Sequence, residues 1–78
     1  MAKLPRDANP REVIKALRRL GFRVETVTGS HYKLVHESDR SRIAIVPFHK
    51  ALRTGLLTSI LRQARVSLDE FLRVFTIL

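Results

Sequence analysis

Cysteine is absent from the 78-residue sequence, which excludes a disulfide framework, a thiolate zinc site and a cysteine nucleophile together. Long apolar runs are also missing: none approaches the roughly 18 residues of a membrane-spanning helix. The opening stretch, residues 1–6, lacks the apolar region of a signal peptide, so a cytoplasmic protein is expected. No Gly-rich phosphate loop occurs, and no carboxylate pair stands at a glycosidase-like or two-metal spacing. Nothing marks a nucleophile elbow. Neither a metal nor an organic cofactor is expected on these grounds. Acidic residues are scarce as well, seven against fifteen Lys and Arg, leaving a formal charge of +8.

That excess is mostly arginine, eleven of the fifteen, whose planar fork suits bidentate phosphate contacts. A polyanionic partner follows, most often nucleic acid. An anionic membrane fits less well, because the cations are spread along the chain and do not stack on one amphipathic helix. The length allows a single domain, 1–78, with no internal repeat or linker. Residues 1–8 read as a polar arm and residues 9–78 as the folded part.

Asn9-Pro10-Arg11-Glu12 reads as a helix start: Asn as N-cap, Pro in the first turn, Glu closing a capping box. Val13, Ile14, Leu17 and Leu20 follow at helical spacing, and Gly21 ends the helix. Three short strands are expected next: Phe22 to Val27, His31 to His36 and Arg42 to Val46. Turns at Thr28-Gly29-Ser30 and at residues 37–41 make them an antiparallel meander. Pro47 stops the last strand, and residues 48–53 read as a basic loop. Thr54 is the expected cap of a second helix carrying Leu57, Ile60, Leu61 and Ala64. Ser67-Leu68-Asp69-Glu70 opens a third with a capping box. The order αβββαα, with helices on one sheet face, defines an α+β two-layer domain.

Side chains alternate across a strand, which sorts the candidate site. Tyr32 and Leu34 join Phe22, Val24, Ile43 and Ile45 as the expected core face. His31 and Lys33 then point outward, on an open face with Arg23 and Arg42. An imidazole there, just past the Gly29 turn, is within reach of a phosphodiester. On spacing alone His31 also reads as an ordinary surface histidine, and Gly29 and Ser30 as plain turn formers. His49 in Phe48-His49-Lys50 reads as a loop residue or a substrate contact. His31 and His36 fall on opposite faces and cannot share a metal ion without a bulge between them. Ribonucleolytic chemistry asks little of such a site. The 2′-hydroxyl of RNA supplies the nucleophile, so proton transfer by one imidazole and nearby cations suffice. A non-catalytic RNA-binding module is the alternative. A DNA-reading helical protein is disfavoured by the sheet and by the lack of a helix-turn-helix pattern.

Several pieces, taken in order and spacing, resemble the HicA-type mRNA-interferase toxins. They are Arg11-Glu12-Val13-Ile14-Lys15-Ala16-Leu17 with Gly21-Phe22, Gly29-Ser30-His31, Val46-Pro47 with His49, residues 55–64, and Ser67 to Leu72. The resemblance implies a double-stranded-RNA-binding-like fold, His31 as the catalytic residue, and a HicB-type antitoxin as inhibitory partner. The nucleic acid would meet Gly29, Ser30, Lys33, His49, Lys50 and Arg53. The sequence departs from the family at Tyr32, where a second His or an aliphatic residue is frequent. It departs again at Gly55-Leu56-Leu57, where Gly-Thr-Leu is common. The open face, with Val27, Val35, Ala44 and Val46 among Arg23, Lys33 and Arg42, is the expected antitoxin surface, extended by Val74, Ile77 and Leu78.

Overall fold

The computed structural model of the protein describes residues 4–75. Its elements run β1 (Asp7–Ala8), α1 (Pro10–Arg19), β2 (Phe22–Thr28), β3 (His31–His36), β4 (Ile43–Pro47), β5 (Leu52–Arg53), α2 (Thr54–Ala64) and α3 (Leu68–Val74). The expected α+β architecture holds: β2, β3 and β4 form an antiparallel meander in that order, and the helices pack on one side of it.

Local chemistry explains most of the boundaries. The Asn9 side chain accepts from the Arg11 N–H at 2.9 Å, and Pro10 fills a first-turn position where no N–H is required. Glu12 does not complete the expected box; it pairs with Lys15 at 3.6 Å. Gly21 follows α1 at φ +97°, a conformation that side chains disfavour, and a Cβ there would stand 2.9 Å from His36 Nε2. Ser67 and Glu70 form the reciprocal capping box of α3. Glu70 is held below the ordinary carboxylate range, chiefly by the Ser67 backbone N–H that it accepts from.

Two expectations at the chain's edges are corrected. Residues 7–8 are not a free arm, and the segment after Pro47 is not all loop. Asp7 pairs with Arg53 and Ala8 with Leu52 in a short antiparallel ribbon, β1–β5. Ala8 and Leu52 are buried in the core, and Leu4 packs against it. Thr54 is not the cap of α2: Arg53 takes that place, and the Thr54 hydroxyl donates to the Pro5 carbonyl at 3.0 Å.

A third correction concerns β4. Ile43 and Ile45 are the inward pair that alternation suggests, but Ala44 and Val46 are the residues fully buried, and Ile45 is 43% exposed. Pairing settles the face. Leu34 opposes Ala44 and Tyr32 opposes Val46, so all four point to the helices. The Ile-Ala-Ile-Val run is apolar at every position, so alternation alone cannot choose, and the cross-strand partners do. On β2 the register slips between Val24 and Thr26, leaving Glu25 as the bulge residue. Val24, expected in the core, is accordingly 37% exposed on this edge strand.

The core gathers Leu17 of α1, Phe22 and Leu34 of the sheet, Leu57 of α2 and Phe71 of α3, all essentially inaccessible. Each such side chain contributes about 1.5–3 kcal/mol through burial. Arg19 of α1 donates to the Val74 carbonyl at 2.7 Å and fastens α3 to α1. Val74 is half-buried against the core, and Ile77 and Leu78 lie outside the described residues. No described helix is long and apolar enough to cross a membrane.

Candidate active site

The turn between β2 and β3 aims the first histidine. Gly29 adopts φ +58°, with open space where a Cβ would stand, so its conformation and not its packing calls for glycine. His31 begins β3 directly after this turn, opposite Thr28 on one side and Pro47 on the other. It is exposed, on the face away from the helices, as alternation with the buried Leu34 requires. His36 is on the other face. Its ring meets Phe22 edge-on at 5.1 Å, and its Nδ1 accepts from the Ser38 N–H at 3.1 Å. The two cannot act on one substrate atom.

His49 comes to His31 by a different route. After Pro47 the chain stays against β3: the Phe48 N–H donates to the Ser30 carbonyl, and the Phe48 ring packs 4.9 Å from that of Tyr32. Those contacts seat His49 with its ring centroid 6.4 Å from that of His31, the planes 78° apart. Both rings are accessible. His49 also lines a cavity of about 420 Å³ with Asp7, Asn9, Pro10, Phe48, Lys50 and Ala51. The cavity thus adjoins His49 and offers an apolar wall, a cation and a carboxylate.

The cations divide into free and engaged. Lys50 is exposed at the cavity and, among the described residues, no carboxylate pairs with it. Arg53 lines a neighbouring depression with Arg6, Thr54 and Asp7, so it belongs to the β1–β5 ribbon and not to the immediate surroundings of His31. Lys33 shares the His31 face but is 3.3 Å from Glu25, which also binds Arg40. Glu25 sits below its ordinary carboxylate range through the hydrogen bond from Arg40 first and that from Lys33 second. Alternation along β2 puts Glu25 on the same face as Lys33, but only the pairing of β2 with β3 brings the two into contact.

Arg42, expected on the open face, is on the opposite side. It donates to the carbonyls of Ala64 at 2.9 Å and Arg65 at 3.1 Å, and lies 5.5 Å over the Phe22 ring. The unsatisfied carbonyls at the C-terminal end of α2, where the helix dipole is negative, account for its capture. Arg65 itself holds φ +55° there and pairs with Asp39 at 3.0 Å, tying the β3–β4 turn to the helix end. Ala44 and Val46 are buried on the helix side, and Val27 stands opposite Tyr32 on that same side. Val35, though on the open face, is only 5% exposed, so the accessible apolar part of the open face reduces to Ile43 and Ile45.

The class is therefore a small, strongly basic α+β domain with a bare sheet face and two imidazoles side by side at its rim. Residues 10–66 match the pattern of the HicA toxins of bacterial toxin–antitoxin systems, and the chain belongs to that family. The matched span contains Gly29, Ser30, His31, Lys33, His49, Lys50 and Arg53, and ends before α3. No individual curated protein matches the chain. At the second departure from the family pattern, Leu56 is 44% exposed on the first turn of α2.

Proposed function

We propose that this toxin is a metal-independent endoribonuclease that cleaves mRNA in the cytoplasm, with His31 transferring a proton at the scissile phosphodiester. The observation that carries the reading is the placement of His31: an exposed imidazole on the bare sheet face, beside a second imidazole and a cavity with a free lysine. RNA brings its own nucleophile. The 2′-oxygen attacks phosphorus, the bond to the 5′-oxygen breaks, and the fragments carry a 2′,3′-cyclic phosphate and a 5′-hydroxyl. A positioned histidine accelerates such a step by about 10²–10⁴-fold. Lys50 offers charge to the developing phosphorane oxyanion. Gly29 and Ser30 shape the approach to His31, His49 and Lys50 contact the strand, and Lys33 and Arg53 extend the basic track.

The inhibitory partner is a HicB-type antitoxin that covers the open face over Ile43 and Ile45 and hides His31. Apolar contact supplies its affinity and complementary charge its fast association. Purified wild type and His31→Ala, incubated with a long RNA in EDTA, test the nuclease reading. Wild type is expected to cut; the variant, with an unchanged melting temperature, is expected to bind RNA and leave it whole. Cleavage by a well-folded His31→Ala protein rejects His31 as catalytic. RNA binding without cleavage by wild type favours a non-catalytic RNA-binding module.

A further inference from the structure

Resting on the ribonuclease reading above, we infer that His49 is a second catalytic residue, so that His31 and His49 work as a general acid and general base on one phosphodiester. The geometry carries this. Ring centroids 6.4 Å apart leave each imidazole able to reach a different oxygen of the same phosphate, while the rings are too far apart to block each other. Their planes stand 78° apart, so the rings meet edge to face and neither is stacked over the other.

The pair is also held in place, unlike two histidines that meet by chance on a surface. His31 is fixed in β3 opposite Pro47. His49 follows Phe48, whose N–H is bound by the Ser30 carbonyl and whose ring is packed on Tyr32. One hydrogen bond and one ring contact therefore connect the backbone on which each imidazole is mounted. Such fixation is what proton transfer needs, because the catalytic gain depends on reach within about 2.6–3.2 Å of the reacting oxygen.

The step balances. One imidazole, neutral, takes the proton from the 2′-hydroxyl as the O2′–P bond forms. The other, protonated, gives its proton to the 5′-oxygen as the P–O5′ bond breaks. The protein ends with the two protonation states exchanged, and water resets them. The charged groups around the pair are Lys50 beside His49, Asp7 across the cavity on β1, and Lys33 two residues along β3, itself held by Glu25 with Arg40. Thr28 and Pro47, the strand neighbours of His31, carry no charge.

The test compares wild type, His31→Ala and His49→Phe, the last keeping a ring for the edge contact while removing the proton. Cleavage of a short RNA is followed from acid to alkaline pH, and again with an RNA whose scissile 5′-oxygen is replaced by sulfur, a leaving group that needs no proton. Wild type is expected to give a bell-shaped profile, each variant to lose about 10²–10⁴-fold on ordinary RNA, and His49→Phe to lose one limb of the bell. One of the two variants, the one lacking the acid, is expected to recover on the sulfur substrate while the other does not. His49→Phe with both limbs intact and a rate within a few fold of wild type overturns the inference, as does recovery of neither variant. If His31→Ala is inert in that case, the ribonuclease reading stands and only the role of His49 falls. An inert wild type rejects both.

Discussion

The aromatic ring of Phe48 lies 4.9 Å from that of Tyr32, tilted by 35°, and this contact couples the segment bearing His49 to the strand bearing His31. Both rings are half-buried against the core, so the contact has a packing role and a positioning role at once. Phe48→Ala is expected to cost about 2 kcal/mol in unfolding experiments, below the range for a fully buried ring. It is expected to lower RNA cleavage further than the loss of folded protein explains. Phe48→Leu, which restores bulk without the ring face, is expected to recover stability more than activity.

Gly21 gives a sharper stability test. At φ +97°, with His36 Nε2 only 2.9 Å from the place of a Cβ, Gly21→Ala meets both backbone strain and a clash. A loss of about 2 kcal/mol is expected from the left-handed conformation and contact together. In a double-mutant cycle His36→Ala should remove the clash and leave the backbone part. Gly29→Ala, at φ +58° in open space, is expected to cost about 1–2 kcal/mol from conformation alone. Equal costs at the two glycines with no coupling to His36 would contradict this.

Acid is expected to weaken the fold through three carboxyls, Glu25, Asp39 and Glu70. Each is held below its ordinary range: Glu25 by Arg40 and then Lys33, Asp39 by the Ser41 hydroxyl and backbone, Glu70 by the Ser67 backbone. Because the folded state favours their charged forms, the stability they contribute is complete above the ordinary carboxylate range. It is lost as pH falls through that range toward their lowered values. Melting temperatures between neutral pH and strong acid measure this, and Glu70→Gln should flatten part of the decline. A melting temperature that rises on acidification would contradict the sign.

Electrostatics should also tune RNA affinity through a residue that repels RNA. Glu25 engages Lys33 and Arg40 beside the proposed track, so Glu25→Gln frees both cations and removes a negative charge. Binding to single-stranded RNA is expected to tighten, and its salt dependence to steepen by roughly 0.7 for each additional phosphate neutralised. About four neutralised phosphates in wild type correspond to a log–log slope near −3. Weaker binding by Glu25→Gln would show that Lys33 needs its partner for correct placement.

Much of this architecture is legible in the residues, for physical reasons. Asn9-Pro10, Gly21 and Ser67 with Glu70 punctuate helices through local hydrogen bonds and conformational preference, which need no knowledge of the rest of the chain. In β3 the alternation of Leu34 with Lys33 directs His31 outward. What stays hidden depends on partners distant in sequence. Ile43 to Val46 are all apolar, so only Leu34 and Tyr32 across the ladder decide their faces. The β1–β5 ribbon has two residues a side, too few for any periodicity. Arg42 is drawn away by the carbonyls of Ala64 and Arg65, more than twenty positions along the chain. The His31–His49 approach is of the same kind, since it follows from the β3–β4 register and the course of the chain past Pro47.

The central claim, that His31 transfers a proton as the RNA's own 2′-hydroxyl attacks the phosphodiester, is read most directly in the chemistry of the fragment ends. Wild-type protein incubated with a defined RNA in EDTA should leave 2′,3′-cyclic phosphate and 5′-hydroxyl termini, and His31→Ala of equal melting temperature should leave none. Fragments ending in 3′-hydroxyl and 5′-phosphate, or the same cyclic ends made undiminished by His31→Ala, would contradict it.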